Sequence, residues 1–182
     1  MRRLFPLNLL AVALAAGFTL TALAPQAQAQ GASKGASGLP LPRFVSLKAE
    51  RVNLRVGPGR AYSVSWLYTK PGVPMEIIQE YDNWRRVRDA DGTEGWIYQS
   101  LLSGRRTGVA APWKKPEGSE DYISMQADAR ETSDMVAKLE PGVIVTIMEC
   151  NGEWCKAEAK GASGWIAQTD VWGAYPGEAF KD

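Results

Sequence analysis

The sequence predicts an all-β protein made of two tandem small units, set behind a leader and a linker. Three observations carry that prediction. First, β-branched and aromatic residues come in short runs (Val64 to Tyr68, Met75 to Glu80, Trp84 to Asp89, Glu94 to Tyr98), punctuated by the turn pairs Pro71-Gly72, Asp82-Asn83 and Asp91-Gly92. Second, no segment sustains a helical period. Third, the same pattern returns in order about 70 residues later.

Residues 1–29 read as a cleaved secretory signal. Arg2 and Arg3 precede an apolar run from Leu9 to Ala24, Pro25 follows it, and Ala27-Gln28-Ala29 has the small-x-small form of a signal-peptidase site. The run is shorter than the roughly 20 residues a membrane-spanning helix needs. The mature chain is therefore expected to be soluble, in the periplasm or secreted, with no stable membrane insertion after cleavage. Residues 30–42 are rich in Gly, Ala, Ser and Pro and read as a flexible linker, stiffened at its end by Pro40-Leu41-Pro42.

The 182 residues hold 21 Lys plus Arg, 20 Asp plus Glu and no histidine, for a net charge of +1. Removing the leader takes away Arg2 and Arg3, which leaves 19 basic residues against 20 acidic ones. That balance offers no electrostatic reason to seek nucleic acid. Without histidine there is no ordinary general base near neutral pH, no histidine-based triad and no imidazole metal ligand. No enzymatic activity, metal or cofactor is expected. Asp89-Ala90-Asp91-Gly92-Thr93-Glu94 reads as a hairpin turn, since it lacks the further ligands and terminal glutamate of a calcium loop.

The first unit spans 43–104 and the second 120–176, with a connector at 105–119 and a tail at 177–182. Pro71-Gly72-Val73 matches Pro141-Gly142-Val143, Ile77 matches Ile147, and Trp84 matches Trp154. Gly95-Trp96-Ile97 matches Gly164-Trp165-Ile166 after a one-residue deletion, and Val52-Asn53-Leu54-Arg55 pairs with Ile123-Ser124-Met125-Gln126. The connector's Arg105, Arg106, Lys114 and Lys115 read as a solvated stretch whose field neighbouring acids cancel.

Val52-Asn53-Leu54-Arg55-Val56-Gly57-Pro58-Gly59, then Lys70-Pro71-Gly72, Trp84-Arg85-Arg86-Val87 and Gly95-Trp96-Ile97, resemble the bacterial Src-homology-3 domain family in residues, order and spacing. The second unit is degenerate, with Ala127-Asp128-Ala129-Arg130 where the first has its Gly-Pro loop. The ending Val171-Trp172-Gly173-Ala174-Tyr175-Pro176-Gly177-Glu178 is similar to that of an exported two-domain subfamily. The resemblance implies two tandem Src-homology-3-like, strongly bent five-stranded β-barrels whose loops flank a shallow aromatic groove used for binding. It also implies cell-wall hydrolases as the company such domains keep. Relatives that bind proline helices have Gly-Tyr-Ile-Pro-Ser-Asn-Tyr where this chain has Gly95-Trp96-Ile97-Tyr98-Gln99-Ser100-Leu101, so proline recognition is not expected here.

Tryptophan and cysteine are the informative residue types. Alternation along Trp84-Arg85-Arg86-Val87-Arg88 sets Val87 inward and Trp84, Arg86 and Arg88 outward, and Trp96 beside inward Ile97 also faces out. The expected binding surface centres on Trp84 and Trp96, which should meet, with Arg86 and Tyr98 at its edge and Trp66 and Tyr68 on a neighbouring run. Trp154 and Trp165 are the second-unit counterparts. Rings in these places either cap the barrel ends or form a ligand surface, and the sequence leaves both readings open. Cys150 and Cys155 flank a four-residue stretch and are expected to form a disulfide across a hairpin, where the first unit has Glu80 and Arg85 as an opposite-charge cross-strand pair. The expected function is a binding or scaffolding module of the cell envelope, recognising peptidoglycan peptide or an envelope protein. The alternative is a regulatory subunit that docks on a cell-wall hydrolase.

Overall fold

The computed structural model describes residues 33–114 and 122–181, so the expected leader and the residues just after it lie outside the described residues. A small hairpin of β1 (Ser33–Lys34) and β2 (Pro40–Leu41) leads into the first barrel. That barrel comprises β3 (Arg43–Leu47), β4 (Val52–Arg55), β5 (Val64–Tyr68), β6 (Pro74–Tyr81), β7 (Trp84–Arg88), β8 (Glu94–Tyr98) and β9 (Leu102–Ser103). The second comprises β10 (Thr107–Ala110), β11 (Ile123–Gln126), β12 (Met135–Leu139), β13 (Ile144–Asn151), β14 (Trp154–Ala159), β15 (Ala162–Ala167), β16 (Val171–Trp172) and β17 (Ala179–Lys181).

The two sheets are the same sheet built twice. The first runs β5-β4-β8-β7-β6-β3-β9 and the second β12-β11-β15-β14-β13-β10-β16, all antiparallel, with β17 added to β13. The first is a half-barrel of seven strands and the second of eight where five were expected, the paths ending in the two-residue strands β9 and β16 and the second sheet adding β17. Alternation decides the cores. Val52, Leu54, Val87 and Ile97 are fully enclosed in the first barrel, as Ile123, Met125, Ala157 and Ile166 are in the second. Each large aliphatic side chain so buried contributes roughly 1.5–3 kcal/mol.

Glycine permits the tightest approach in each barrel. A Cβ on Gly95 would lie 2.5 Å from Leu54 Cγ and 2.9 Å from the Arg55 carbonyl oxygen; one on Gly164 would lie 2.6 Å from the Gln126 oxygen. Any larger residue would push β4 off β8, or β11 off β15. The one-residue deletion falls in the hairpin after β7, where Asp89 to Thr93 shortens to a two-residue turn at Lys160-Gly161.

Three expected boundaries change. Residues 33–41 are not a free linker. Their hairpin docks on Glu80, whose Oε2 accepts the Ser37 N–H at 2.7 Å and whose Oε1 accepts the Ser37 hydroxyl at 2.8 Å and Arg43 Nη2 at 2.7 Å. Part of the expected connector is structural, since Thr107–Ala110 forms the first strand of the second barrel, paired with β13 and β16. The tail also joins the fold, Ala179–Lys181 pairing with Asn151, Cys150 and Glu149. The repeat match missed β10 because a longer stretch separates it from β11 than separates β3 from β4.

Cys150 and Cys155 are Cα partners across β13 and β14 and form a disulfide. A loop of about six residues gives roughly 2 kcal/mol in the chain-entropy account. Glu80 and Arg85 hold the same cross-strand place in the first barrel, with Arg85 Nε 3.2 Å from Glu80 Oε1.

The barrels are joined by the run 171–178. Phe44 of β3 meets Trp172 edge-on at 5.0 Å and Tyr175 at 4.7 Å. The Tyr175 hydroxyl donates to Glu76 Oε1 at 2.9 Å, while Glu76 Oε2 accepts Arg88 Nη2 at 2.6 Å. Burial, and then the Glu76 charge, pushes the Tyr175 phenol far above its ordinary pKa. Arg106 closes the seam: it lies over the Phe180 ring at 4.2 Å and donates to both Glu178 oxygens and to the Gly173 carbonyl.

Two predictions follow from these contacts. Burial alone would raise the Glu80 carboxyl, but the Ser37 and Arg43 hydrogen bonds and the Arg85 charge outweigh it and hold the group at about 2, below its ordinary 4.5. The folded value lies below the unfolded one, so this stabilisation, on the order of 3 kcal/mol, is full above about pH 4.5 and drains as pH falls toward 2. The protection factor of the Ser37 amide should fall over that window before the barrels unfold, and Glu80→Gln should expose the same amide at neutral pH. Phe44→Ala should cost about 3–5 kcal/mol at the seam, so calorimetry should resolve two melting transitions for the variant and one for the wild type.

Candidate functional site

Strand β4 turns Val52 and Leu54 inward, which sends Arg51, Asn53 and Arg55 to the opposite face. It touches β8 at a single pair, Arg55 with Trp96. Toward Arg51 no further pair joins the two strands, and a groove of about 440 Å³ opens there, lined by Arg51, Asn53, Arg55, Arg60, Trp84, Tyr98, Ser100 and Leu101. Arg60 arrives from the loop between β4 and β5. The loop is held by Val56 N–H on the Ser63 oxygen and by Arg55 Nη1 on the Tyr62 oxygen at 2.6 Å.

Trp84 and Tyr98 form one wall, packed edge-on with centroids 5.5 Å apart. Trp84 takes the outer face as expected but is only 9% exposed. It does not pair with Trp96, whose ring packs on Tyr81 at 6.5 Å. The register explains the difference, because Trp84 lies directly opposite Tyr98, and Trp96 opposite Arg86. Direct partners sit closer than diagonal ones.

The other expected residues separate. Arg86 is tied to Glu94 at 2.8 Å and does not line the groove. Trp66 is 58% exposed on the edge strand β5, away from the groove lining. Tyr68 belongs to the core. Its hydroxyl donates to Asp89 Oδ2 at 2.7 Å, and burial followed by that hydrogen bond raises its pKa well above the ordinary value. Asp89 Oδ1 accepts the N–H groups of Asp91 and Thr93, so this carboxylate holds a turn and a tyrosine rather than a cation.

Sequence reasoning missed the arginines of the groove. Arg51, Asn53 and Arg55 at every second position, alternating with Val52 and Leu54, were the available signal. Among the described residues none of Arg51, Arg55 and Arg60 forms an ion pair. A larger cleft of about 580 Å³ runs beside Phe44 and Phe180, but its cations are spoken for: Arg43 and Arg85 by Glu80, Arg106 by Glu178, Lys181 by Glu149. Of the two, the smaller groove is the one that combines aromatic walls with arginines outside any ion pair.

The second barrel keeps the backbone of this region and loses its chemistry. Its loop repeats the hydrogen bonds of the first, with Ala127 N–H on the Asp134 oxygen and Arg130 N–H on the Asp128 oxygen. Gly57 is needed in the first loop because a Cβ there would strike the Tyr62 ring. In the second, Ser133 replaces that ring, Asp128 is tolerated, and its N–H is capped by the Ser133 hydroxyl at 2.9 Å. Trp154 is retained, with Trp165 facing Lys156 across the ladder, but Ala167 stands for Tyr98, Tyr122 for Arg51, Gln126 for Arg55, Glu131 for Arg60 and Asp170 for Leu101.

Comparison with known proteins places these observations. The model of the bacterial SH3 domain family matches residues 48–104 and 119–173. A curated relative, the putative N-acetylmuramoyl-L-alanine amidase YrvJ of Bacillus subtilis (strain 168), is 23% identical over 132 residues, covering 69% of this chain and 24% of the amidase. The chain thus spans about a quarter of that protein's length. Among solved structures, NlpC2 and NlpC1 from Trichomonas vaginalis each align with a TM-score of 0.32, at 12% and 14% identity, over 72% and 77% of this chain and 48% of each of theirs.

The burial difference between the two rings is directly testable. Trp84→Ala should lower the unfolding free energy by about 3 kcal/mol or more, because it empties a packed position. Trp96→Ala, at a half-buried site, should cost about 1 kcal/mol. Chemical denaturation of the two variants checks the ranking.

Proposed function

This chain belongs to the bacterial SH3 domain family, and from that premise we propose that it is an exported, non-catalytic companion of a cell-wall hydrolase, docking on the enzyme or on its substrate and modulating its action. The observation that carries the reading is the amidase relative: a protein named for cutting the wall includes, as about a quarter of its length, the segment that matches most of this chain. Among the described residues here the segment shows no catalytic cluster. The sequence has no histidine, and among the described residues no three metal-ligating side chains cluster. Export is supported by the form of residues 1–29 and by the disulfide of Cys150 and Cys155, a bond suited to an oxidising compartment. Among the described residues no helix is long and apolar enough to cross a membrane.

A second reading, direct recognition of peptidoglycan peptide or of an envelope protein, is favoured by the groove of the first barrel. Two packed rings offer flat contact area at low entropic cost, and the arginines beside them offer paired donors for carboxylate or carbonyl oxygen.

Dye release from labelled wall sacculi tests the companion reading. The mature chain alone should release nothing, and added to amidases and peptidases of the same organism it should change the rate of at least one by twofold or more. Unchanged rates with all of them, and a chain that stays in solution when sacculi are pelleted, would overturn it.

A further inference from the structure

We propose that the groove of the first barrel is an anion-selective site for a short peptide ending in a free carboxylate, and that the second barrel has lost this capacity. This rests on the reading of the first barrel as the one that binds. Arg51, Arg55 and Arg60 line one small groove, and no carboxylate lines it with them. Three guanidinium groups held together without counter-charge repel one another and gain by taking up an anion. Elsewhere in this barrel arginine is neutralised by the fold: Arg43 and Arg85 by Glu80, Arg86 by Glu94, Arg88 by Glu76. The groove is where that pattern stops.

The rest of the lining says what kind of anion fits. Trp84 and Tyr98 supply an apolar wall, which a bare phosphate would leave unused, and Asn53 and Ser100 supply side-chain groups that hydrogen-bond to amides. A volume of about 440 Å³ suits a few residues of peptide. The planar fork of arginine matches a carboxylate with two parallel hydrogen bonds. Arg55 is already oriented by its bond to the Tyr62 carbonyl, so its free edge is presented at little further entropic cost.

The second barrel is a natural control. On the same backbone, Glu131 stands for Arg60, Gln126 for Arg55 and Tyr122 for Arg51, and Asp170 replaces Leu101. None of the three positions holds an arginine, Asp170 is paired with Lys114, and Trp154 stays, so the aromatic wall is preserved where the cluster of unpaired guanidinium groups is not.

The test uses the mature chain, the acetylated tripeptide Ac-Ala-Ala-Ala with a free carboxylate, and the same peptide as its C-terminal amide, followed through the indole N–H resonances of Trp84 and Trp154. Expected are saturable shifts at Trp84 and none at Trp154, at least tenfold weaker binding of the amide, and weakening as salt rises from about 50 to 500 mM. Arg51→Gln with Arg60→Gln, surface changes that leave Trp84 packed, should reduce affinity tenfold or more with an unchanged melting temperature. Equal affinity for acid and amide, or no effect of the double variant, would overturn the carboxylate site. Displacement of the peptide by inorganic phosphate at lower concentration than by acetate would reassign the groove to phosphate. A failed titration alongside a positive dye-release result would remove this inference and leave the companion reading standing.

Discussion

The carboxylate of Glu76 lies 4% exposed where the two barrels meet, and a charge withdrawn from water in that way must be matched. It is matched from both sides. Arg88, on the neighbouring strand of the same barrel, takes one oxygen, and Tyr175, from the second barrel, donates to the other. The seam around it follows from that requirement. Phe44 fills the space between Trp172 and Tyr175, and Arg106 fastens the end of the run through Glu178, whose Oε2 also accepts the Tyr175 N–H. Loss of the tyrosine would leave one lone-pair face of a buried anion unsatisfied, a larger penalty than the bond's own worth.

The two barrels solve one problem by different chemistry. In each, the long central strand runs past its neighbour and exposes an edge. In the first, Glu80 gathers the N-terminal hairpin, Arg43 and Arg85 onto that edge; in the second, Cys150 is bonded to Cys155 and β17 pairs with the same stretch of β13. The ionic version depends on pH and the covalent one on redox state. Covering the edge also removes a template for pairing with another chain.

The two copies share a backbone and differ in the side chains it carries. The loop between β11 and β12 has the hydrogen bonds of its counterpart although its sequence differs, because Asp128 and Ser133 fit together there as Gly57 and Tyr62 do in the first. Backbone geometry is common to both, and the arginines are not. The barrel backbone thus tolerates exchange of the charges along its groove.

The sequence by itself determined the all-β class, the repeat, the inward and outward faces of β7 and β8, and the pairing of Cys150 with Cys155. All of these are local consequences of a two-residue period and of short hairpins. It could not reveal that Ser33 to Leu41 dock, since a stretch of Gly, Ala and Ser looks unconstrained until Glu80, far along the chain, is folded beneath it. Nor could it separate Tyr68 from Trp66, two residues apart on one strand, because the distant Asp89 draws one inward while the other stays on an open edge. The groove was illegible for the same reason. Arg51, Arg55 and Arg60 vanish in a composition with near-zero net charge, and only the parting of β4 from β8 sets them beside Trp84 and Tyr98. Whether an arginine is neutralised or free depends on which carboxylates the folded sheet brings within reach, and that is decided by tertiary register, not by neighbours in sequence.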